Sequence, residues 1–189
     1  MRARVAITFV ALALCSCVPV RQTYYEAVGG KVFPQETLSN CRPDHFGMGH
    51  HPGASLGVYA SLKDAKASVI LDLFAGQSKS VDFEPPEITV ESLEKPGLQA
   101  VYPLKFHFFC SPLSYHPCTY AEFVDLPIQW DGSVQPKEVF YEHVLPPEFL
   151  AGFAVRLPKM TDDTSATDPK TVVFRRVTEA VSVGPFGCH

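Results

Sequence analysis

The sequence predicts an all-β fold: an antiparallel β-sandwich of immunoglobulin-like type, with seven to nine short strands stapled by disulfides. Three observations predict it. The 189 residues include 17 prolines and 14 phenylalanines, a composition that disfavours helix interiors and suits short strands joined by stiff turns. Apolar and polar residues alternate with a period of two along much of the chain. Turn residues interrupt that alternation about every ten residues, as in sandwich folds. No series of amphipathic helices alternates with the strands, so a parallel α/β sheet is excluded. A closed barrel is the alternative topology.

Taken in order, Tyr24-Tyr25 begin the ordered domain, residues 24–189, and Gly29-Gly30 and Pro34 mark turns before Cys41. Residues 42–57 are rich in glycine and histidine, show no periodicity and read as a loop. Over residues 55–66, Leu56, Tyr59, Ala60 and Leu62 share one helical stripe and fit a short helix. Residues 67–74 are almost continuously apolar and predict a strand buried on both faces. After Gly76-Gln77, residues 80–84 put Val81 and Phe83 on one face. Pro85-Pro86 then interrupt pairing, and residues 87–91 align Ile88 with Val90. Over residues 101–109, Leu104, Phe106 and Phe108 point inward while Lys105 and His107 point outward. Residues 119–130 form a strand broken by Pro127. Residues 137–145 oppose Val139, Tyr141 and Leu145 to Glu138 and Glu142. Phe153, Val155 and Leu157 alternate in the next strand. Residues 161–170 read as a polar loop, and residues 171–183 supply the last strand or two.

The start of the chain carries an address. Arg2 and Arg4 precede an apolar run over residues 5–14. That run is too short for a bilayer, which takes about 20 apolar residues, and it has the form of an export signal. Leu14-Cys15-Ser16-Cys17 follows, and this run resembles the lipobox of bacterial lipoproteins, with Cys15 as a departure at its middle position. The resemblance implies a signal peptide over residues 1–16, cleavage before Cys17, and acyl chains such as palmitate on that cysteine. Two or more chains give a stable anchor, whereas one is marginal. Val18 stands where an Asp would resemble an inner-membrane retention signal, so the resemblance favours the outer membrane. Residues 18–23 then read as a short linker, spanning about 20 Å when extended, that keeps the domain close to the lipid.

Two further stretches, Tyr24-Tyr25-Glu26 with Gly29-Gly30 and Cys41-Arg42-Pro43, and residues 153–158 with residues 173–176, are similar to those of small uncharacterised lipoproteins of Gram-negative bacteria. That resemblance implies a location and an all-β shape and brings no activity.

Export exposes thiols to oxidants, and four cysteines remain beyond the anchor: Cys41, Cys110, Cys118 and Cys188. Three pairings are possible. Cys110–Cys118 with Cys41–Cys188 is favoured, because the first staples a proline-rich loop and the second ties the ends of the domain together. The chain-entropy model gives these loops about 2.5 and about 5 kcal/mol. The net charge of −4, made more negative by loss of Arg2 and Arg4, leaves no basic patch and argues against nucleic acid.

Several constellations hold side chains capable of chemistry. Residues 53–57 match the G-x-S-x-G pattern of a nucleophile elbow, which needs a sharp strand-to-helix turn, an oxyanion hole, a histidine and an acid. His51-Pro52 precede it instead of a buried strand, so a serine hydrolase through Ser55 is a remote alternative to a glycine-rich loop. His45, Met48, His50 and His51, beside Asp44, form the densest set of metal donors, and imidazole with thioether suits copper while imidazole with carboxylate suits zinc. His107, Cys110, His116 and Cys118 have zinc-like spacing, but oxidation of the two cysteines competes with it. The pairs Glu84/Glu87 and Asp162/Asp163 read as solvated turns, and Trp130 reads as capping the core. The sequence therefore points to a non-catalytic binding or structural module without a cofactor. It is held at the envelope by lipid and meets a protein partner through edge strands or the His/Gly loop. The rival is a copper- or zinc-binding lipoprotein.

Overall fold

A strand that alternates apolar and polar residues hides one side and wets the other. The computed structural model, which describes residues 18–28, 45–49, 53–108, 123–130, 138–184 and 187–188, is built almost wholly from such strands. In chain order they are β1 (Val18–Val28), β2 (His45–Gly49), β3 (Ser55–Lys63), β4 (Lys66–Phe74), β5 (Ser80–Glu84), β6 (Glu87–Ser92), β7 (Gln99–Pro103) and β8 (Phe106–Phe108). Then follow β9 (Phe123–Val124), β10 (Ile128–Gln129), β11 (Glu138–Val144), β12 (Gly152–Leu157), β13 (Lys159–Asp162), β14 (Ala166–Thr167), β15 (Lys170–Gly184) and β16 (Gly187–Cys188). One 3-10 turn, Pro147–Phe149, precedes β12. Every strand pair among the described residues is antiparallel.

The all-β, antiparallel expectation holds, but the expected number of strands is too small. Segments read as single units are divided. Residues 101–109 split into β7 and β8 at Leu104-Lys105, because the Leu104 N–H turns away to the Pro86 carbonyl at 2.9 Å. Segments read as loops contain short strands. The glycine/histidine stretch holds β2, paired along β3, and the polar loop at 161–170 holds half of β13 and all of β14. The described residues form three sheets: β1-β15-β12-β6-β7 with β16 beside β15, β2-β3-β4-β11-β8-β9, and the small sheet β10-β5-β13-β14.

One apolar core joins the three sheets. In the first sheet, Tyr25 meets Phe153 edge-on at 5.1 Å and Phe153 meets Phe174 at 5.4 Å, linking β1, β12 and β15 through ring contacts. Phe83 on β5 stacks on Phe106 of β8 at 5.5 Å and so fastens the small sheet to the second one. Burying each of these rings contributes roughly 2–3 kcal/mol. β4, expected to be buried on both faces, hides Val69, Leu71 and Leu73, while Ile70 and Asp72 are half-buried and Phe74 is exposed. Gly152 opens β12 at φ +146°, and a Cβ there would lie 2.9 Å from the Phe174 carbonyl oxygen; the close approach of β12 to β15 requires glycine.

The short helix fitted to residues 55–66 does not form. Leu56, Val58 and Ala60 alternate inward on β3, a period of two that the overlapping stripe of Leu56, Tyr59 and Ala60 disguises. The β3–β4 hairpin closes through Asp64 and Ala65, at φ +50° and +57°. Two positive φ values in a two-residue loop are type I′ geometry, which favours Asn-Gly or Asp-Gly because a Cβ is strained there. The chain has the Asp but puts Ala where Gly would fit. Ala65→Gly is therefore expected to stabilise the fold by about 1 kcal/mol, a rise of about 2–4 °C in Tm. Thermal unfolding of the two proteins side by side reads this out, and an unchanged or lower Tm contradicts the turn assignment.

Candidate functional site

Three surfaces hold the chemistry that the strands bring together. The first is the end of the β1–β15 ribbon. Pairing runs from Val28↔Val173 to Val18↔Val183, whereas β12 covers β15 only up to Gly152↔Arg175. Beyond Arg175, β15 is paired among the described residues only with β1 and, at its end, with β16. Arg176, Thr178, Glu179, Ala180 and Arg21 are exposed there. Cross-strand bonds lace this part of the ribbon. The Thr23 and Thr178 hydroxyls lie 2.9 Å apart, and the Tyr24 hydroxyl donates to Glu179 at 2.7 Å. Residues 18–23, expected to be a linker, are instead the first half of β1, because residues 178–183 pair with them. Cys17 lies outside the described residues, one position before this ribbon. β16 sets Cys188 opposite Val183, at the same end.

The second surface is the outer face of the second sheet. Register aligns Gly57 on β3, Asp72 on β4, Phe140 on β11, His107 on β8 and Phe123 on β9 in one row. At Gly57 a Cβ would come within 2.9 Å of the Tyr59 ring, so the tyrosine lies over its neighbour's backbone. Phe74, Phe123 and Val144 are exposed at 51, 58 and 53 % on this face. Phe123 is held between the His107 ring at 4.3 Å and the Lys105 ammonium 5.6 Å from its centroid. Beside it runs an open groove of about 460 Å³ lined by Pro86, Pro103, Leu104, Phe123 and Leu126, with Lys105 and Asp125 at its rim.

The third is a seam between β7 and β11. The Tyr102 and His143 rings touch at 3.9 Å, and Tyr141 stacks beyond His143 at 6.4 Å. Burial pushes the Tyr141 phenol up to about 12, with Tyr102 adding to it. Burial also raises Tyr102, helped by Glu148, and lowers His143. All three rings are thereby held neutral near neutral pH. The buried Tyr141 hydroxyl has no hydrogen-bond partner among the described residues.

The expected site residues fall as follows. Ser55 is exposed and begins the nine-residue β3, so it does not sit on the strand-to-helix turn that a nucleophile elbow requires. His45 and Met48 take register positions on β2 opposite Tyr59 and Leu56, in a strand where an ion-wrapping loop was expected. His50, His51, Cys41, Cys110, His116 and Cys118 lie outside the described residues. Among the described residues no three His, Cys, Asp or Glu side chains gather as a metal set. His107 lies half-buried on the outward face of β8, as its alternation predicts, and Trp130 is buried in the core. Among the described residues no helix is long and apolar enough to cross a membrane.

One expectation needs correction. Glu84 and Glu87 are exposed where β5 and β6 flank their turn, and Asp163 is exposed too, as expected, but Asp162 is half-buried and both aspartates tie loops together. Oδ2 of Asp162 accepts from the Ala54 N–H at 2.8 Å and the Ser78 hydroxyl at 3.1 Å. Its Oδ1 accepts from the Thr164 and Ser165 N–H groups at 2.7 and 2.6 Å and from the Thr164 hydroxyl at 2.7 Å. Asp163 accepts from the Lys79 and Ser80 N–H groups at 3.0 and 3.2 Å. Desolvation raises the Asp162 pKa, but the bonds from Ala54, Thr164 and Ser165 outweigh it and hold the carboxyl well below its ordinary range. No family model matches the chain, and no curated protein or solved structure matches it either.

Two outcomes follow from these groups. The folded Asp162 carboxyl titrates below its ordinary value of about 3.8, so its stabilisation is complete above that value and is lost as pH falls towards the folded pKa. Asp162→Asn is expected to cost about 2 kcal/mol near pH 7 and about 1 kcal/mol less near pH 3, read from urea unfolding at each pH. An equal cost at both pH values would show that the charge is not what binds the loops. Tyr141→Phe removes a buried hydroxyl that has no partner among the described residues. It is expected to be neutral or to stabilise by up to about 1 kcal/mol in the same assay, and a clear loss would reveal a partner for that hydroxyl.

Proposed function

We propose that this chain is an exported lipoprotein, acylated at Cys17, whose β domain is a non-catalytic binding or structural module of the cell envelope, on the outer rather than the inner membrane. The observation that carries the reading is the order of the first residues, a basic start, a short apolar run and Leu14-Cys15-Ser16-Cys17, ending one position before β1. The anchor and the domain are thus contiguous. The contact surface is the outer face of the second sheet around Phe74, Phe123 and Val144, together with the groove beside Phe123, and the partner is a protein of the envelope. Exposed aromatic and aliphatic side chains beside a cation suit a protein surface. The finer form of the fold belongs to the same reading: an immunoglobulin-like sandwich in which the first and second sheets enclose the core, stapled by Cys110–Cys118 and Cys41–Cys188. The export route supports the disulfides, since it carries the thiols into oxidising surroundings.

The anchor is tested by fractionating cells that express the full chain. Cys17→Ser is expected to move the protein from membranes to the soluble fraction and to remove the acyl mass, while Cys15→Ser keeps both. Unchanged membrane association of the Cys17→Ser protein overturns the reading.

A further inference from the structure

We propose that the β1–β15 ribbon is a stiff stalk that sets the height and orientation of the domain, with its valine-rich end seated at the lipid surface. The inference rests on the anchor reading above and goes beyond it, because acylation alone leaves the domain free to tumble on a loose tether.

Three observations carry it. First, no unpaired linker lies between Val18 and the domain. Each residue from 18 to 25 has a partner between 176 and 183, and the Thr23–Thr178 and Tyr24–Glu179 side-chain bonds brace the middle of the ribbon. Two strands alone are marginal in water. Here the ribbon continues into the first sheet at one end and gains β16 as a third strand at the other. From Tyr25 to Val18 it extends about 23 Å at the usual rise per residue.

Second, the ribbon changes character along its length. Its shaft carries Arg176, Thr178, Glu179, Gln22 and Thr23. Beyond Arg21 the paired positions are Val20↔Val181, Pro19↔Ser182 and Val18↔Val183, with no charge among them. A water-facing ribbon gains nothing from an uncharged, valine-rich end, whereas one that enters a headgroup layer does. Arg21 stands at the boundary, where a long cationic side chain reaches lipid phosphates while its stem stays in apolar surroundings.

Third, the uncharged end is the one that adjoins Cys17, so acyl chains attached there deliver it to the bilayer. The outer edge of β1, unpaired among the described residues, limits the depth. Unpaired backbone N–H and C=O groups are costly in hydrocarbon, so the end stops at the boundary between headgroups and acyl chains, some 5–10 Å deep.

The test places a reporter at each level. Val181→Trp marks the end, Val20→Trp repeats it from the opposite strand, and Arg176→Trp marks the shaft. Each is prepared as the acylated full-length protein and bound to phosphatidylethanolamine–phosphatidylglycerol vesicles with brominated acyl chains, and intact mass verifies acylation. Trp130, the one native tryptophan, is buried and adds the same background to all three. The stalk predicts that emission from the two end variants shifts to the blue and falls by about half, while that of Arg176→Trp is unchanged. An acylated, vesicle-bound protein with no quenching at either end position overturns the seat and leaves the anchor standing. Quenching at all three positions overturns the upright stalk, because the ribbon then lies flat. Protein recovered from native membranes without acyl chains overturns the anchor reading, and this inference with it.

Discussion

The pairing of β1 with β15 is the constraint on which the rest depends. It joins the first described strand to the longest late one over eleven registered positions. β15 is also the strand on which β12 is laid, and β12 in turn carries β6 and β7. Tyr25 shows how much converges on this join. Its ring packs on Phe153, which packs on Phe174, and its hydroxyl donates to the Leu150 carbonyl at 2.9 Å. Burial pushes its phenol up, and Arg176, its register partner, draws it part of the way back. The same residue therefore closes the core and marks where the ribbon leaves it. Without the join, β15 would lose one neighbour and the aromatic contacts of Tyr25 would open to water.

The second and third sheets are held by a different chemistry. Their apolar contact through Phe83 and Phe106 fixes how closely they approach, but apolar contact alone tolerates sliding. Asp162 removes that freedom. A carboxylate that accepts bonds from the residue before β3, from the β4–β5 turn and from its own loop specifies which strands meet at which height. Charge-assisted bonds of this kind are shorter and stronger than neutral ones. Division of labour between a greasy interface and a polar clamp explains why a short sheet of four strands, two of them only two residues long, keeps its place.

Most strands were legible because their burial is one-sided. Val81 and Phe83, Ile88 and Val90, and Phe153, Val155 and Leu157 alternate cleanly, and each set is buried as expected. Legibility failed where the pattern was doubly periodic or absent. Leu56, Tyr59 and Ala60 satisfy a helical stripe by accident, since Tyr59 lies on the far face over Gly57. β2 holds glycines at positions 47 and 49 and offers no alternation, so only its pairing with β3 defines it. Residues 18–23 looked like a linker for a related reason: their partners lie some 160 residues away in sequence, and long-range pairing leaves no local trace. The knot at Asp162 was hidden by chemistry. Two acids in a polar stretch usually face water, and nothing in the local sequence says that Ala54 and Ser78 will supply donors. The proposed contact surface was half legible. Alternation placed His107 outward, but the exposure of Phe123 beside it comes from a two-residue strand next to Pro127.

The order of the strands along the chain bears on how such a protein reaches its place. On the proposed route the amino terminus leaves the cytoplasm first, and β1 emerges with it. Its partner β15 emerges last, so β1 must remain unpaired while almost the whole domain follows. Pairings of such long sequence separation form slowly, because the loop between them has to close before any contact rewards it. An unpaired strand beside an acylated cysteine is a hazard, since a free edge recruits other strands. The composition of β1 reduces that hazard: Arg21, Gln22, Thr23 and Glu26 interrupt its apolar residues, and Pro19 removes one backbone donor near its start. The β3–β4 hairpin, in contrast, closes locally through a two-residue turn at Asp64 and Ala65. The second sheet is thus placed to form early around that hairpin. The join that fastens both ends, and holds the ribbon straight, comes only when the carboxyl terminus arrives.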